Sequence, residues 1–228
     1  MDNHIRTYIT HNKGGKWELI KAPETDVDGK TKKCFIEDGC SLHLHIYSSN
    51  GIFPPPYSQD SAVGIIIGVG NIGKQLNRYH PDQLSTYLSR DGGLTWDEVR
   101  KGSHIYEIGD HGGLIVMAPN LNGTKEVYYT WNEGKTWHAQ SISNVPLDVT
   151  NIIIEPLSVS QEFVVYGQVY DPENPNPTGV IVTIDFKDLH EPQCKGVDNP
   201  GDKDSDYELW TPFDGRHGAN NNKCFLGQ

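Results

Sequence analysis

The chain consists of short apolar stretches separated by glycine, proline, asparagine and aspartate. Residues 42–47 alternate strictly between apolar and polar side chains, which predicts a strand with one face in a core. Residues 64–69 form a continuous apolar run that favours a buried strand. The other predicted strands are 5–10, 16–20, 85–89, 95–99, 105–108, 114–118, 127–130, 136–141, 150–155, 162–169 and 180–186. No stretch indicates a helix of ten residues or more, so the predicted fold class is all-β.

One eight-residue pattern recurs between predicted strands. It has the form Ser/Thr-x-Asp/Asn-x-Gly-x-x-Trp and occupies residues 10–17, 89–96 and 130–137. The glycine permits the positive φ of a hairpin turn, and the short side chain at the third position can accept hydrogen bonds from backbone N–H groups. The pattern residues are Thr10, Asn12, Gly14 and Trp17; Ser89, Asp91, Gly93, Thr95 and Trp96; and Thr130, Asn132, Gly134, Thr136 and Trp137.

The spacing of this pattern indicates the repeat unit. Trp96 and Trp137 are 41 residues apart, and Trp17 precedes Trp96 by 79. About 40 residues form one four-stranded blade of a β-propeller, and the pattern is the Asp-box of such blades. We expect residues 1–190 to form a partial β-propeller of about three and a half antiparallel blades. After Phe186 the composition shifts to Asp, Gly, Asn and Pro, so a second module is expected from residue 191 to 228.

Composition and charge narrow the possible functions. The 228 residues carry 19 basic and 30 acidic side chains, and a net charge of −11 disfavours binding to nucleic-acid phosphates. No stretch approaches the roughly 18 apolar residues of a membrane span. The first residues lack the pattern of a signal peptide. We expect no nucleic-acid partner and no membrane span in this chain.

The cysteines fall into two pairs along the sequence. Cys34 and Cys40 bracket five residues and favour a short disulfide, since no second Cys/His pair lies at zinc-ligand spacing. A disulfide would indicate an oxidising compartment. Cys194 and Cys224 form the second pair. Asn122 begins the one N-glycosylation sequon of the chain, in a predicted turn.

Two motifs that could bind cofactors lack the context that binding needs. Residues 68–73 match G-x-G-x-x-G, but no helix follows to receive a pyrophosphate, so we expect a strand that ends in a glycine turn. His43 and His45 share one face of a strand, but spacing places no third ligand beside them. His104 and His111 are further candidate ligands only through the proximity of a neighbouring blade. The sequence predicts no cofactor and no metal site.

Asp-boxes also occur in sialidases, so a glycosidase remnant is the alternative function. Sialidase chemistry needs three arginines around a carboxylate, a Tyr/Glu pair and an acidic Asp. The arginines of this chain are Arg6, Arg78, Arg90, Arg100 and Arg216, none of which has that setting. Asp97 and Glu98 are neighbours on a strand and face opposite ways, which suits neither glycosidase geometry. We predict no catalytic residue and no enzyme activity.

Several segments in the same order resemble the sortilin family, the receptors built on the vacuolar-protein-sorting-ten domain. These segments are 40–45, 63–66 with 70–73, 87–96, 102–106 with 110–116, 183–188, Cys194, 207–210 and 223–227. The resemblance implies the last blades of a ten-bladed propeller, followed by the beginning of a ten-cysteine module. The family receptors also have a membrane span and a cytosolic tail, which this chain lacks, so we expect it to be a truncated fragment.

The resemblance also implies a function. Sortilin-family receptors carry soluble vacuolar or lysosomal cargo proteins from the Golgi to endosomes, with the propeller on the luminal side. Cys34–Cys40 fits the family's short propeller disulfide, and Cys194 and Cys224 fit the first two module cysteines, whose partners would lie outside this chain. No ligand-binding residue can be assigned, because the family's peptide-binding arginine belongs to a blade upstream of residue 1. A truncated paralogue without function is a further alternative.

Overall fold

A computed structural model describes residues 4–46, 55–121, 123–174, 176–189 and 195–205 of the chain. Within these ranges, helical structure is limited to three 3₁₀ turns, Ile36–Asp38, Pro81–Gln83 and Asp110–Gly112. The strands are β1 (Tyr8–Ile9), β2 (Glu18–Leu19), β3 (Ser41–Leu44), β4 (Ile66–Gly73), β5 (Ser85–Ser89), β6 (Asp97–Lys101), β7 (His104–Gly109), β8 (Leu114–Pro119), β9 (Glu126–Thr130), β10 (His138–Ser141), β11 (Leu147–Ile153), β12 (Glu162–Val169) and β13 (Gly179–Asp185).

The strands form four antiparallel sheets in which each strand pairs with its neighbour in the chain. The sheets are β1-β2, β3-β4-β5-β6, β7-β8-β9-β10 and β11-β12-β13. This arrangement confirms the all-β fold class and is consistent with a partial propeller. The bounds of β5 and β12 match the prediction, whereas most other strands are displaced by a few residues.

The strand predicted before the glycine turn is present, but the turn is not where it was expected, because β4 continues through residues 68–73. Leu44 pairs with Gly70, and a Cβ atom on Gly70 would lie 1.9 Å from the carbonyl oxygen of His43. Glycine therefore permits close approach of β3 to β4 and does not form a turn here. The sequence pattern cannot distinguish these two roles, because the close approach depends on a strand more than 20 residues earlier.

The core is built by adjacent sheets packing face to face. Residues of β8 alternate between two hydrophobic clusters: Ile115 and Met117 pack toward the β3–β6 sheet, whereas Leu114, Val116 and Ala118 pack toward the β11–β13 sheet. These five side chains are at most 1 % exposed. Full burial of a Leu, Ile or Met side chain contributes about 1.5–3 kcal/mol, so the period-two pattern of β8 stabilises three sheets together.

A long connection between β2 and β3 carries the predicted disulfide. Cys34 and Cys40 are bonded, with their Cα atoms 5.2 Å apart. The connection is also joined to β6, since Lys32 pairs with the buried carboxylate of Glu98 and Asp28 pairs with Lys101. Asn122, Cys194 and Cys224 lie outside the described residues, so glycosylation and the module cysteines stay predictions.

Candidate functional site

The three predicted turns, here called box turns 1 (residues 10–17), 2 (89–96) and 3 (130–137), share one hydrogen-bond scheme. The eight residues of each box turn are counted from its first residue, and distances are given for box turns 1, 2 and 3 in order. The hydroxyl oxygen of the first residue accepts a hydrogen bond from the backbone N–H of the fifth residue, at 3.0, 2.8 and 2.9 Å. Its hydroxyl donates to Oδ1 of the third residue at 3.0, 2.9 and 2.9 Å. That Oδ1 accepts from the seventh N–H at 2.8, 2.9 and 2.9 Å. Two short side chains therefore bind the fifth and seventh backbone N–H groups of each turn.

The fourth and fifth residues of every box turn have positive φ. The φ values are 58° and 90° at Lys13 and Gly14, and 53° and 77° at Glu133 and Gly134. In box turn 2 both positions are glycine, with φ of 70° and 91°. Glycine adopts this left-handed conformation without a steric cost, which explains its presence at the fifth position of every box turn.

Consecutive box turns are hydrogen-bonded to each other through equivalent positions. His11, second in box turn 1, contacts the carbonyl oxygen of Gly92, fourth in box turn 2, at 3.2 Å. Arg90, second in box turn 2, donates from Nε to the carbonyl oxygen of Glu133, fourth in box turn 3, at 2.6 Å. The turns therefore form a chain of contacts that runs across three sheets.

The fifth glycine of box turns 2 and 3 also receives a side chain from the preceding sheet. A Cβ atom on Gly93 would lie 2.5 Å from Cδ1 of Ile9, and one on Gly134 would lie 2.6 Å from Cδ2 of Leu88. Ile9 and Leu88 each immediately precede the box turn of their own sheet. Glycine is required at this position both for the backbone conformation and for packing between sheets.

The three tryptophans differ in burial. Trp96 is 4 % exposed and donates from Nε1 to the carbonyl oxygen of Gly93 at 3.0 Å. Trp137 is half-buried, and its buried Nε1 has no hydrogen-bond partner among the described residues. Trp17 is 59 % exposed, next to the sheet that has only β1 and β2. Burial of the tryptophan therefore differs between box turns that share the same hydrogen bonds.

A polar cluster lies at the first strand of the β7–β10 sheet. Glu107 of β7 accepts a hydrogen bond from the Ile108 N–H at 2.9 Å and interacts with the Tyr57 hydroxyl. Tyr57 is paired with Ile67 of β4, so the cluster connects two sheets. Burial raises the pKa of the Glu107 carboxyl, and burial and this carboxyl raise the pKa of Tyr57 to about 12. Gln59 donates a hydrogen bond to the Tyr57 hydroxyl.

The sequence analysis did not identify this cluster. The available signal was Glu107, the one charged residue in the apolar stretch 104–109. Its partner Tyr57 follows a proline-rich loop, and their contact spans 50 positions of the chain. The first strand of the next sheet, β11, contacts β7.

The candidate histidines have structural partners. His43 accepts a hydrogen bond at Nδ1 from the Thr7 N–H at 3.2 Å, and its Nε2 is 3.2 Å from the Gly73 carbonyl oxygen. Burial lowers the pKa of His43, and burial and then Arg100 lower the pKa of His104 to about 4. In the described part of the chain, no group of three or more His, Cys, Asp or Glu side chains is placed to hold a metal ion.

The arginines in the described ranges lie in separate environments, and Arg216 is outside these ranges. Arg90 lies between box turns and also pairs with Asp97. The Arg100 guanidinium carbon lies 3.3 Å from the centre of the Tyr128 ring, and Arg78 is exposed. Asp97 is exposed whereas Glu98 is buried, as expected for neighbours on opposite faces of β6.

Two family models cover the chain. The model described as sortilin, neurotensin receptor 3 (Sortilin-Vps10) matches residues 1–152, and its C-terminal counterpart (Sortilin_C) matches residues 154–228. The chain belongs to the sortilin family. The resemblance inferred from sequence segments is therefore confirmed. The match boundary falls at the end of β11, so the β11–β13 sheet contributes strands to both matched regions.

Curated relatives in this family are named vacuolar protein sorting/targeting protein 10. The relative from Emericella nidulans is 37% identical over 91% of this chain, and the one from Neosartorya fischeri is 35% identical over 98%. The relative from Debaryomyces hansenii is also 35% identical over 98% of the chain. The chain spans about one seventh of their length, between 14% and 15% in these three relatives.

The family is one of sorting receptors and not of enzymes, and the relatives' names refer to sorting to the vacuole. In the described ranges of this sortilin-family chain, no helix is both long and apolar enough to cross a membrane. The division into a propeller up to residue 190 and a module from residue 191 stays a prediction.

Proposed function

We propose that this chain forms a luminal part of a transmembrane receptor that binds soluble vacuolar or lysosomal proteins and carries them from the Golgi to endosomes. The supporting observation is the similarity to vacuolar protein sorting/targeting protein 10, which extends over 91–98% of the chain. The Cys34–Cys40 disulfide supports a luminal location, because disulfides persist in oxidising compartments. Asn122 is the proposed glycosylation site.

The chain's contribution is binding and not chemistry. The box turns hold consecutive sheets in a fixed arrangement, and the blades of a propeller surround a central channel. The Tyr57–Glu107 cluster lies on the first strand of its sheet, where it could contact a cargo segment in such a channel. A closed channel needs further blades, so we propose that cargo binding requires the rest of the receptor.

A segment exchange tests this function. Residues 1–228 replace the matched segment of the Emericella nidulans relative, in a strain that lacks its own copy. We expect cells with the chimeric receptor to retain a soluble vacuolar hydrolase. Cells whose receptor lacks the segment should secrete that hydrolase. Secretion by the chimera, despite normal receptor abundance and normal resistance to trypsin, would refute the proposal.

A Glu107→Gln variant of the chimera tests the polar cluster separately. The substitution keeps the size of the side chain and removes the negative charge. Partial loss of hydrolase retention, with unchanged receptor abundance, would support contact between the cluster and cargo. Unchanged retention would assign Glu107 a structural role only.

A further inference from the structure

Residues from three different sheets meet at the Tyr57–Glu107 cluster. Tyr57 is paired with Ile67 of β4, Glu107 belongs to β7, and Ser158 lies in the connection between β11 and β12. The Tyr57 hydroxyl interacts with both the Glu107 carboxylate and the Ser158 side chain. Glu107 is the one residue of β7 that is not buried, so a molecule in solution can reach it.

The Glu107 carboxylate receives hydrogen bonds from neutral groups and keeps acceptor capacity. The Tyr57 hydroxyl donates to the carboxylate and itself accepts a hydrogen bond from the Gln59 amide. The Ile108 N–H donates to Glu107 Oε1 at 2.9 Å. A carboxylate offers about four lone-pair sites, so about two on Glu107 can accept further hydrogen bonds. The cluster therefore suits a group that donates hydrogen bonds.

Ser158 contributes a second acceptor to the cluster. The residue is 0% exposed, and its Oγ lies beside the Tyr57 hydroxyl but has no partner with hydrogen-bond geometry in the described part of the chain. Native structures satisfy nearly all buried hydroxyls, so a further group is expected to bond to this Oγ.

The backbone fixes Ser158 in an unusual conformation. Its φ is 53°, in the left-handed region that costs a serine free energy. The Ser158 N–H donates to the Glu155 carbonyl at 3.1 Å, and its carbonyl accepts from the His111 N–H at 3.2 Å. His111 also has positive φ, at 55°. Such conformations persist where surrounding contacts enforce them, and they recur at binding sites.

The charge of Glu107 distinguishes it from the buried carboxylate of β6. Glu98 forms an ion pair with Lys32. Burial raises the pKa of the Glu107 carboxyl, and the groups that lower this pKa, the Tyr57 hydroxyl and the Ile108 N–H, are both neutral. A partly buried carboxylate attracts a cation more strongly than a carboxylate in bulk water, because the effective dielectric constant is lower. The donor that fits the cluster is therefore positively charged.

We propose that Glu107 and Ser158 bind a primary ammonium group, supplied by a lysine side chain or the amino terminus of a cargo chain. An ammonium has three N–H donors and no acceptor, which matches the acceptors of these two residues. The assignment to a cargo chain rests on the cargo-binding function proposed above, whereas the ammonium site itself does not. The other occupants are a bound water and an ammonium of the receptor's own chain, and the experiment separates them.

The first test titrates the full chain, labelled with ¹⁵N, with n-butylammonium chloride. The reporter is the NMR signal of the Ile108 amide, which is bonded to the Glu107 carboxylate. We expect a saturable shift of this signal at millimolar butylammonium. Tetramethylammonium is the matched control, because it has the same charge and no N–H donor, and it should bind at least tenfold more weakly.

Protein variants locate the ammonium at the cluster. Glu107→Gln keeps the size of the side chain but removes its charge, and should weaken butylammonium binding at least tenfold. Ser158→Ala removes one acceptor and should weaken it at least threefold. Glu126→Gln, at an exposed position of β9, is the matched control and should bind like the parent chain. If Glu107→Gln loses its urea transition, the comparison of the two ammonium ions still decides the test.

The second test identifies the source of the ammonium. It uses residues 1–228 joined to the preceding part of the Emericella nidulans relative, and butylammonium should bind to this protein within threefold of its affinity for the chain alone. Butylammonium should also weaken the binding of a vacuolar hydrolase propeptide, whereas tetramethylammonium should not. Replacing the lysines of the propeptide by norleucine, or acetylating its amino terminus, then shows which ammonium binds.

Three outcomes would overturn the proposal. No shift with butylammonium would leave the cluster with water or a structural role only, and equal binding of both ammonium ions would show unspecific attraction by charge. Loss of butylammonium binding in the joined protein would show that the receptor's own chain occupies the site. Butylammonium binding without any propeptide binding would support the site and refute the cargo function, so the two failures are distinguishable.

Discussion

The contact between Leu88 and Gly134 allows a quantitative test of how the sheets are held together. Gly134→Ala places a methyl group in a residue with φ of 77° and 2.6 Å from Leu88 Cδ2. The left-handed conformation costs an alanine about 1–2 kcal/mol. Leu88 is fully buried, so the overlap adds about 1–3 kcal/mol. We expect the free energy of unfolding to fall by about 2–5 kcal/mol.

Gly92→Ala is the matched control for this substitution. Gly92 has a similar φ of 70°, but no atom lies within 4 Å of its added Cβ, so only the backbone cost of about 1–2 kcal/mol applies. Urea denaturation followed by tryptophan fluorescence measures both values. Leu88→Ala alone should lower the free energy of unfolding by about 2–5 kcal/mol. The double variant Leu88→Ala/Gly134→Ala should lose at least about 1 kcal/mol less than the sum of the two single losses, because the overlap with the added methyl group is then removed. Equal effects of the two glycine substitutions, or strict additivity with Leu88→Ala, would refute the proposed packing.

Further predictions concern pH, the disulfide and the contacts between turns. Burial lowers the pKa of His104 from its ordinary value of 6.5 to about 4. The neutral ring therefore stabilises the folded state above pH 6.5, and this stabilisation is lost as the pH falls from 6.5 toward 4. Between pH 7 and pH 4.5, the free energy of unfolding should fall by about 2–3 kcal/mol more in the parent chain than in His104→Gln. An equal pH dependence of the two proteins would contradict this prediction. Replacing Cys34 and Cys40 by serine should lower unfolding stability by about 2 kcal/mol, because the bond closes a short loop in the unfolded chain; an unchanged urea midpoint would count against this. Arg90→Met should lower the free energy of unfolding by about 1–2 kcal/mol, because it removes the hydrogen bond between two box turns. The control Arg78→Met, at an exposed position, should change it by no more than about 0.5 kcal/mol. Equal changes in the two variants would mean that Arg90 does not join the sheets.

Local chemistry explains why the box turns could be located from sequence. Ser89, Asp91 and Gly93 are within five residues of one another, and their hydrogen bonds form inside the same turn. The bounds of β5 were also predictable, since a polar turn follows the strand directly. A turn can therefore be located from sequence when the residues of the pattern and their hydrogen-bond partners lie within the same few positions.

Features that depend on distant partners were not predictable in the same way. Gly70 resembled a turn glycine, and only the nearby β3 backbone explains its position in a strand. Glu107 and Tyr57 come together through the pairing of Tyr57 with β4, far from β7 in the chain. The pattern also does not show how far its tryptophan is buried: Trp96 packs against distant residues such as Leu42, whereas Trp17 is 59% exposed.

The central claim is that this chain acts in cargo binding as one part of a larger propeller. The most direct test measures binding of a vacuolar hydrolase propeptide by residues 1–228 alone and by the same residues joined to the preceding part of the Emericella nidulans relative. We predict no saturable binding by residues 1–228 at micromolar concentration and saturable binding by the joined protein. Micromolar or tighter binding by residues 1–228 alone, lost on substitution of their own surface residues, would contradict the account and place a cargo site within this chain.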